Sequence, residues 1–425
     1  MRESSGNALP KVQKRHKMKN ITEKRKAYLL IALCWLVYTC SYIGKLSYNA
    51  NIVQIGPAFE VTKDACGMVS SFFFFAYGIG QVVNGFLCKK YNIKYVIFGA
   101  LVVASAMNFL VPIVENFELI KYIWLINGIA MSFLWTSLIR LLSETLPYED
   151  MDKAIIAMGT TVATGTFLVY GMSALFSAVA SFRLTFIIAA AALFAVSLIW
   201  LLSYNSLTGG EGHKCYETDD RPIHISEKSK YKSIVPLIAI LSFFAVANNF
   251  IKDGLTAWTP DILKNTYSTP DWLSILLTLL LPTLAIMGTV VAVHLQKLTK
   301  NFVLSVTLLF VVSAFLTAVV LFLLSSASLI VVTVAIFGIV SCLMAGVNNI
   351  ITSIVPLSLK TEENPGKIAG ILNGFSYLGS TISSYGLGFI AQKFDWMAVF
   401  ITLICISIFV ICIGSVYVIT NKTKE

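Results

Sequence analysis

Tyr42-Ile-Gly-Lys45-Leu-Ser-Tyr48-Asn49 and, in the second half of the chain, Asn249-Phe-Ile-Lys252-Asp-Gly-Leu-Thr256 each place one lysine late in a long apolar run. Measured from Ala27 and from Ile234, where those runs begin, the two lysines are equally deep. A charged side chain at the centre of a membrane helix costs about 2.5–3.5 kcal/mol on insertion scales, so its presence points to a functional site. Two lysines in corresponding places predict an internal repeat folded around one anion site.

Outward from these two stretches the chain keeps the same character. Of its 425 residues, 57% are apolar and 13% charged, where soluble domains average about 45–50% and about 25%. The apolar runs are about 20–25 residues long, enough to cross a hydrocarbon core of about 30 Å as helices. Backbone groups in lipid must bond internally, so an all-α integral membrane protein follows. The predicted spans are 27–52, 65–88, 93–114, 119–144, 153–180 and 182–204, then 233–262, 272–295, 301–325, 327–358, 366–392 and 396–420. Between the sixth and seventh lies 205–232, with Gly209-Gly210, Asp219-Asp220 and several lysines, which reads as a solvated linker. The expected organisation is a basic tail (1–26), an N-terminal six-helix half (27–204), the linker (205–232), a C-terminal six-helix half (233–420) and a short tail (421–425). The basic N-terminus leads straight into a full-length span, so no cleaved signal peptide is expected.

A net charge of +10 would suit nucleic acid, but its distribution argues against that partner. With twelve spans, most of the 32 Lys and Arg fall on the side that holds both chain ends. The opposite side receives Lys63, Lys121, Arg183, Lys264 and Lys393. This is the positive-inside pattern, so both termini are expected in the cytoplasm of a cell-membrane protein. The eight cysteines lie mostly in spans without metal or redox spacing, and His16, His213, His224 and His294 are scattered. Neither a metal nor a cofactor is expected. Without a visible nucleophile–base pair, an enzyme is not expected either. The expected partners are the bilayer and a small anionic metabolite, handled by a monomer.

The ionisable side chains well inside the spans are Lys45, Lys252 and Asp253, with Arg140 and Glu144 nearer one end. Arg140 and Glu144 are i,i+4 and are expected to pair with each other. Tyr38, Tyr42, Lys45 and Asn49 follow helical spacing and form one polar stripe. Asn248, Asn249 and Thr256 accompany Lys252. Facing a central cavity, these residues make an anion pocket with aromatic walls, to which Gln81, Asn348 and Asn349 are added as candidates for the rest of the ligand. The alternative is that both lysines snorkel to the outer interface along helices running on to Pro57 and Pro260. Asp253 points about 100° away from Lys252 around the helix, and a bend at Gly254 would bring the two together. Asp253 is also the one candidate for coupling to protons; the near absence of other buried acids favours anion exchange. The small residues of spans 5 and 11 read as close helix packing. The Phe72–Phe75 run reads as lipid-facing or packed bulk rather than a binding platform.

The chain resembles the major facilitator superfamily and, within it, the organophosphate:phosphate antiporters that carry glycerol 3-phosphate and hexose phosphates. In span 1 the family shows tyrosines followed by an essential arginine, where Tyr38, Tyr42 and Lys45 stand here. In span 7 its second arginine precedes an aromatic-Ser-Pro turn, which looks like Lys252 and Trp258-Thr-Pro260. Its Ala-Tyr-Gly in span 2 is Ala76-Tyr77-Gly78. Its span 11 is similar to Ala369-Gly370, Phe375-Ser-Tyr377-Leu-Gly379-Ser380, Gly388 and Asp395-Trp396 nearly position by position. Lysines replace both family arginines, and Gln81 replaces a lysine of span 2. The resemblance implies two pseudo-symmetric six-helix halves that rock around Lys45 and Lys252 on facing helices. It also implies exchange of a phosphorylated sugar or similar phosphate ester. A carboxylate carrier or efflux pump on the same fold, or a non-transporting sugar-phosphate sensor, are the other functions it allows.

Overall fold

The computed structural model describes residues 11–87, 90–146, 148–208, 231–323, 329–358 and 365–422. Most of the predicted 205–232 linker lies outside the described residues, as do Lys89 and the ends of both tails. The described chain is helical throughout its spans: α1 (Lys11–Ala50), α2 (Lys63–Leu87), α3 (Ile93–Leu110), α4 (Phe117–Thr145), α5 (Tyr148–Val179) and α6 (Phe182–Thr208), then α7 (Tyr231–Tyr267), α8 (Asp271–Thr299), α9 (Phe302–Leu323), α10 (Ile330–Ile354), α11 (Pro365–Lys393) and α12 (Trp396–Lys422). Among the described residues, eleven of these are long and apolar enough to cross a membrane. The twelfth, α11, has 29 residues, but its serines and glycines dilute its hydropathy. The protein is thus a multi-pass membrane protein, and the basic stretch before α1 continues as helix from Lys11.

Helix pairing shows the repeat directly. In the first half α1 packs on α5, α2 on α4, α3 on α6 and α3 on α4; in the second, α7 packs on α11, α8 on α10, α9 on α12 and α9 on α10. The halves meet through α2 against α11 and α5 against α8, and each of these pairs maps onto the other under the same exchange. Lipid gives helices no hydrophobic reason to associate, so shape decides the fit. Gly254 illustrates this: α7 is continuous helix through it, and a Cβ there would come within 2.6 Å of Leu387 and 3.0 Å of Ser383 on α11.

Regular helix is interrupted at Phe133 of α4 in the first half and, more extensively, in α8 and at the end of α10 in the second. Pro282 has no N–H for the Thr278 carbonyl, and α8 breaks at Leu279 and again at Met287. A π-turn at Ile350–Ile354 ends α10 just ahead of Pro356, whose ring would clash with the Thr352 carbonyl in a regular turn.

Twelve helices of alternating direction bring the described start of α1 and end of α12 to one side of the bundle. On the far side the halves are sealed. Lys63 at the start of α2 pairs with Asp261 of α7 at 2.9 Å, its N–H donates to Gln392 at 3.1 Å, and its ammonium lies 4.7 Å from the Trp396 ring. Beneath them, Ile43, Val53, Val169 and Tyr170 form one apolar cluster with Ile275 and Leu279 of α8. On the terminal side α5 and α8 part: the Asp271–Ala285 portion of α8 packs on α5, while Gly288–Thr299 packs on α10 instead. The bundle is open towards its termini and closed opposite them.

That closure depends on Gly67, where an added Cβ would run into the Ser384 carbonyl of the other half. Overpacking costs about 1–3 kcal/mol, so Gly67→Val is expected to shift the balance towards a state open on the far side by roughly 5- to 150-fold. A cysteine at buried Ser384 should then react with an impermeant thiol reagent added from that side. Reactivity equal to that in the Gly67 parent would show that this contact does not make the seal.

Candidate functional site

Between the halves lies a cavity of about 460 Å³. The α1 stripe supplies Tyr42, Lys45 and Asn49 to its wall, and α7 supplies Asn249, Lys252, Asp253 and Thr256. Asn348 and Ser341 of α10, Asn373 and Tyr377 of α11, Thr289 of α8 and Thr160, Thr164, Thr166 and Tyr170 of α5 add to the polar lining. The helix period explains the first two sets, since residues three and four apart share a face.

Lys45 does not reach an interface. It is 7% exposed and sits inside a cage of aromatic rings. Its ammonium lies 4.1 Å from the Tyr77 ring centroid, 5.0 Å from Tyr42, 5.2 Å from Tyr377 and 5.9 Å from both Phe73 and Phe74. A cation on a ring face within about 6 Å gains about 0.5–1 kcal/mol, and about 2 or more when desolvated. The cage thus offsets part of the lost hydration without neutralising the charge. Among the described residues, no carboxylate lies within 4 Å of this ammonium. Four of the rings belong to the first half and Tyr377 to the second, so the cage closes across the interface.

The Phe72–Phe75 run is therefore not uniform bulk. Phe75 is exposed and Phe72 packs on Tyr122 at 6.0 Å, while Phe73 and Phe74 turn inward to Lys45. Four consecutive helical positions cover every direction around the axis, so such a run cannot face one way.

Lys252 is placed differently. Its ammonium is 3.3 Å from Asp253 Oδ1, with helix continuous through Gly254. The other carboxylate oxygen accepts from Ser380 Oγ at 2.5 Å and from Asn249 Nδ2 at 3.2 Å. Asn248 Nδ2 in turn donates to Asn249 Oδ1 at 3.0 Å. The cavity wall thus carries two ammonium groups and one carboxylate.

The remaining expected residues divide. Asn49 lines the cavity and accepts from Ser70 at 2.6 Å. Tyr38, Gln81 and Asn349 do not line it. Tyr38 lies behind Tyr42, its ring 5.4 Å from that ring and 4.7 Å from Trp135. Gln81 sits one turn beyond the cage and donates to the Tyr77 hydroxyl at 2.8 Å. Asn349, one position round the helix from Asn348, reaches Thr289 at 3.5 Å. These three buttress the wall instead of forming it. Arg140 and Glu144 are bonded to each other at 2.6 Å. Tyr77, Tyr377, Asn373 and Ser380 are the wall or wall-fixing residues that periodicity did not single out. Tyr77 and Tyr377 lie in the stretches similar to spans 2 and 11 of the family, which was the signal available for them.

The comparisons with known proteins agree with this architecture. A bacterial homologue of the human lysosomal transporter Spinster, solved in an inward-facing and occupied conformation, superposes with a TM-score of 0.72 at 15% identity, over 93% of this chain and 97% of that one. The nucleoside transporter NupG gives 0.66 at 14% identity, over 92% and 98%. These likenesses concern the fold alone. In sequence, the membrane sensor protein UhpC of Salmonella typhimurium is 23% identical over 108 residues, 25% of this chain and 24% of that protein. Probable anion transporter 7 of Oryza sativa subsp. japonica is 22% identical over 131 residues, 31% and 30% of the two chains. The chain thus aligns with less than a third of either curated relative. Residues 34–364, most of the chain, match the major facilitator superfamily. A two-half bundle of this topology around a central cavity, with that match, makes the chain a member of the major facilitator superfamily.

Proposed function

We propose that this protein is a secondary active transporter that moves a small organic anion by alternating access. The observation that carries this reading is Lys45: an ammonium buried in the wall of the central cavity, caged by rings and, among the described residues, with no carboxylate within 4 Å. A buried charge of this kind is costly unless something meets it. An anion entering the open cavity does so. Closing the terminal side around the anion and opening the far side would complete a cycle with no covalent step, so no enzymatic activity is involved. The cavity holds a ligand of metabolite size, since small-molecule sites run from about 300 to about 1,000 Å³.

Within that class the first reading is a phosphorylated sugar or a similar phosphate ester, exchanged for another anion. It is supported by the resemblance of spans 1, 7 and 11 and by the partial similarity to a membrane sensor and an anion transporter. Asn49, Asn348 and Asn373 supply hydrogen-bonding groups for a polyhydroxylated body. The second reading is a carboxylate, favoured because lysine lacks the bidentate fork that suits phosphate and because Lys252 is already paired. The charge asymmetry of the loops supports cytoplasmic termini in a cell membrane, which makes this conformation inward-open. A monomer is the proposed working unit.

Proteoliposomes preloaded with a labelled sugar phosphate or carboxylate decide the class. Saturable uptake driven by counter-loaded anion, largely indifferent to an imposed proton gradient, is the expected result. Uptake of cations or neutral solutes alone would overturn the anion reading, and tight binding without uptake would identify a sensor.

A further inference from the structure

Lys45 and Lys252 are not equivalent, and the difference lies in Asp253. The Lys252 ammonium is 3.3 Å from Asp253 Oδ1, and Ser380 and Asn249 hold Oδ2 at 2.5 and 3.2 Å. This carboxylate receives three polar partners and lines the same cavity as Lys45. Among the described residues, the charged side chains lining the cavity are Lys45 and Lys252, both positive, and Asp253, negative. Their sum is one positive charge.

On the reading of the cavity as an anion site, we infer that Asp253 selects ligands with a single net negative charge: carboxylates, phosphodiesters or singly protonated phosphate esters rather than dianionic monoesters. A monoanion seated on Lys45 closes the charge balance of the cavity. A dianion leaves one negative charge unmet, facing the half-buried Asp253, where such repulsion is screened less than at an exposed surface. Asp253 thus acts as a specificity determinant, setting how much charge is accepted, while Lys45 anchors the charge that enters.

The experiment compares ligands of nearly equal size and unequal charge. Purified protein is titrated at pH 8 with glucose 6-phosphate, its methyl phosphodiester and glucuronate. The phosphodiester and glucuronate are expected to bind about tenfold or more tighter than the dianionic monoester. In Asp253→Asn, which keeps the side-chain shape, the monoester should gain about tenfold or more relative to the phosphodiester. The double variant Lys252→Gln with Asp253→Asn has the parent's summed charge and should keep the parent's preference, which separates charge from any loss of folding. A monoester-to-diester ratio unmoved by Asp253→Asn overturns charge selection while leaving the anion site standing. Absence of binding for every probe in all three proteins overturns the anion site itself.

Discussion

Lys45→Ala is expected to reduce anion binding by roughly 30-fold to several thousand-fold, the range that follows from removing one partner of a buried charge pair at about 2–5 kcal/mol. Two losses combine in that number. The anion loses its counter-charge, and the cage of Tyr42, Phe73, Phe74, Tyr77 and Tyr377 loses the side chain that fills it. Lys45→Met separates them, because an unbranched thioether packs well against rings while carrying no charge. If the charge is what matters, Lys45→Met binds as poorly as Lys45→Ala yet unfolds closer to the parent's temperature. Calorimetric titration and thermal unfolding on the same samples measure both. Parent-like affinity in Lys45→Met would remove Lys45 from the ligand and reduce it to a packing residue.

The part of this arrangement legible in the sequence is the part that local periodicity controls. Tyr42, Lys45 and Asn49 share a cavity-facing stripe because residues three and four apart on one helix must share a face. Arg140 meets Glu144 for the same reason. The spans could be counted because bilayer thickness fixes their length. What could not be read is anything that depends on which helices touch. Tyr377 enters the Lys45 cage only because α11 packs on α2, and Ser380 reaches Asp253 only because α11 packs on α7. Tyr38 and Gln81 each stand one turn from a residue beside Lys45, Tyr42 and Tyr77 respectively, and lie behind it, because a shared helix face does not fix depth from the cavity. The equal depth of the two lysines suggested equal roles. Sequence spacing records position along the axis, and the neighbouring Asp253 with its partner on α11 makes the surroundings of the two lysines unequal.

Lys252→Ala tests that inequality and should weaken anion binding by about 30-fold or more, within the same range for truncating a buried charge pair. The cause differs from that at Lys45. Without Lys252, the Asp253 carboxylate keeps its bonds to Ser380 and Asn249 but faces the ligand uncompensated, and the charges of the wall sum to zero. Adding Asp253→Asn to Lys252→Ala restores the single positive charge of Lys45, so the double variant should recover most of the lost affinity for a carboxylate or phosphodiester. Residues in one hydrogen-bonded network couple by about 0.5–3 kcal/mol, and a rescue of this sign falls at the upper end of that range. If Lys252 instead grips the ligand directly, as a symmetric pair of anchors requires, the double variant will bind no better than Lys252→Ala alone. A double-mutant cycle on affinity, with Lys45 intact throughout, distinguishes the two outcomes. Rescue would mean that one lysine binds the anion while the other holds its carboxylate neighbour in check; no rescue would return both lysines to the ligand.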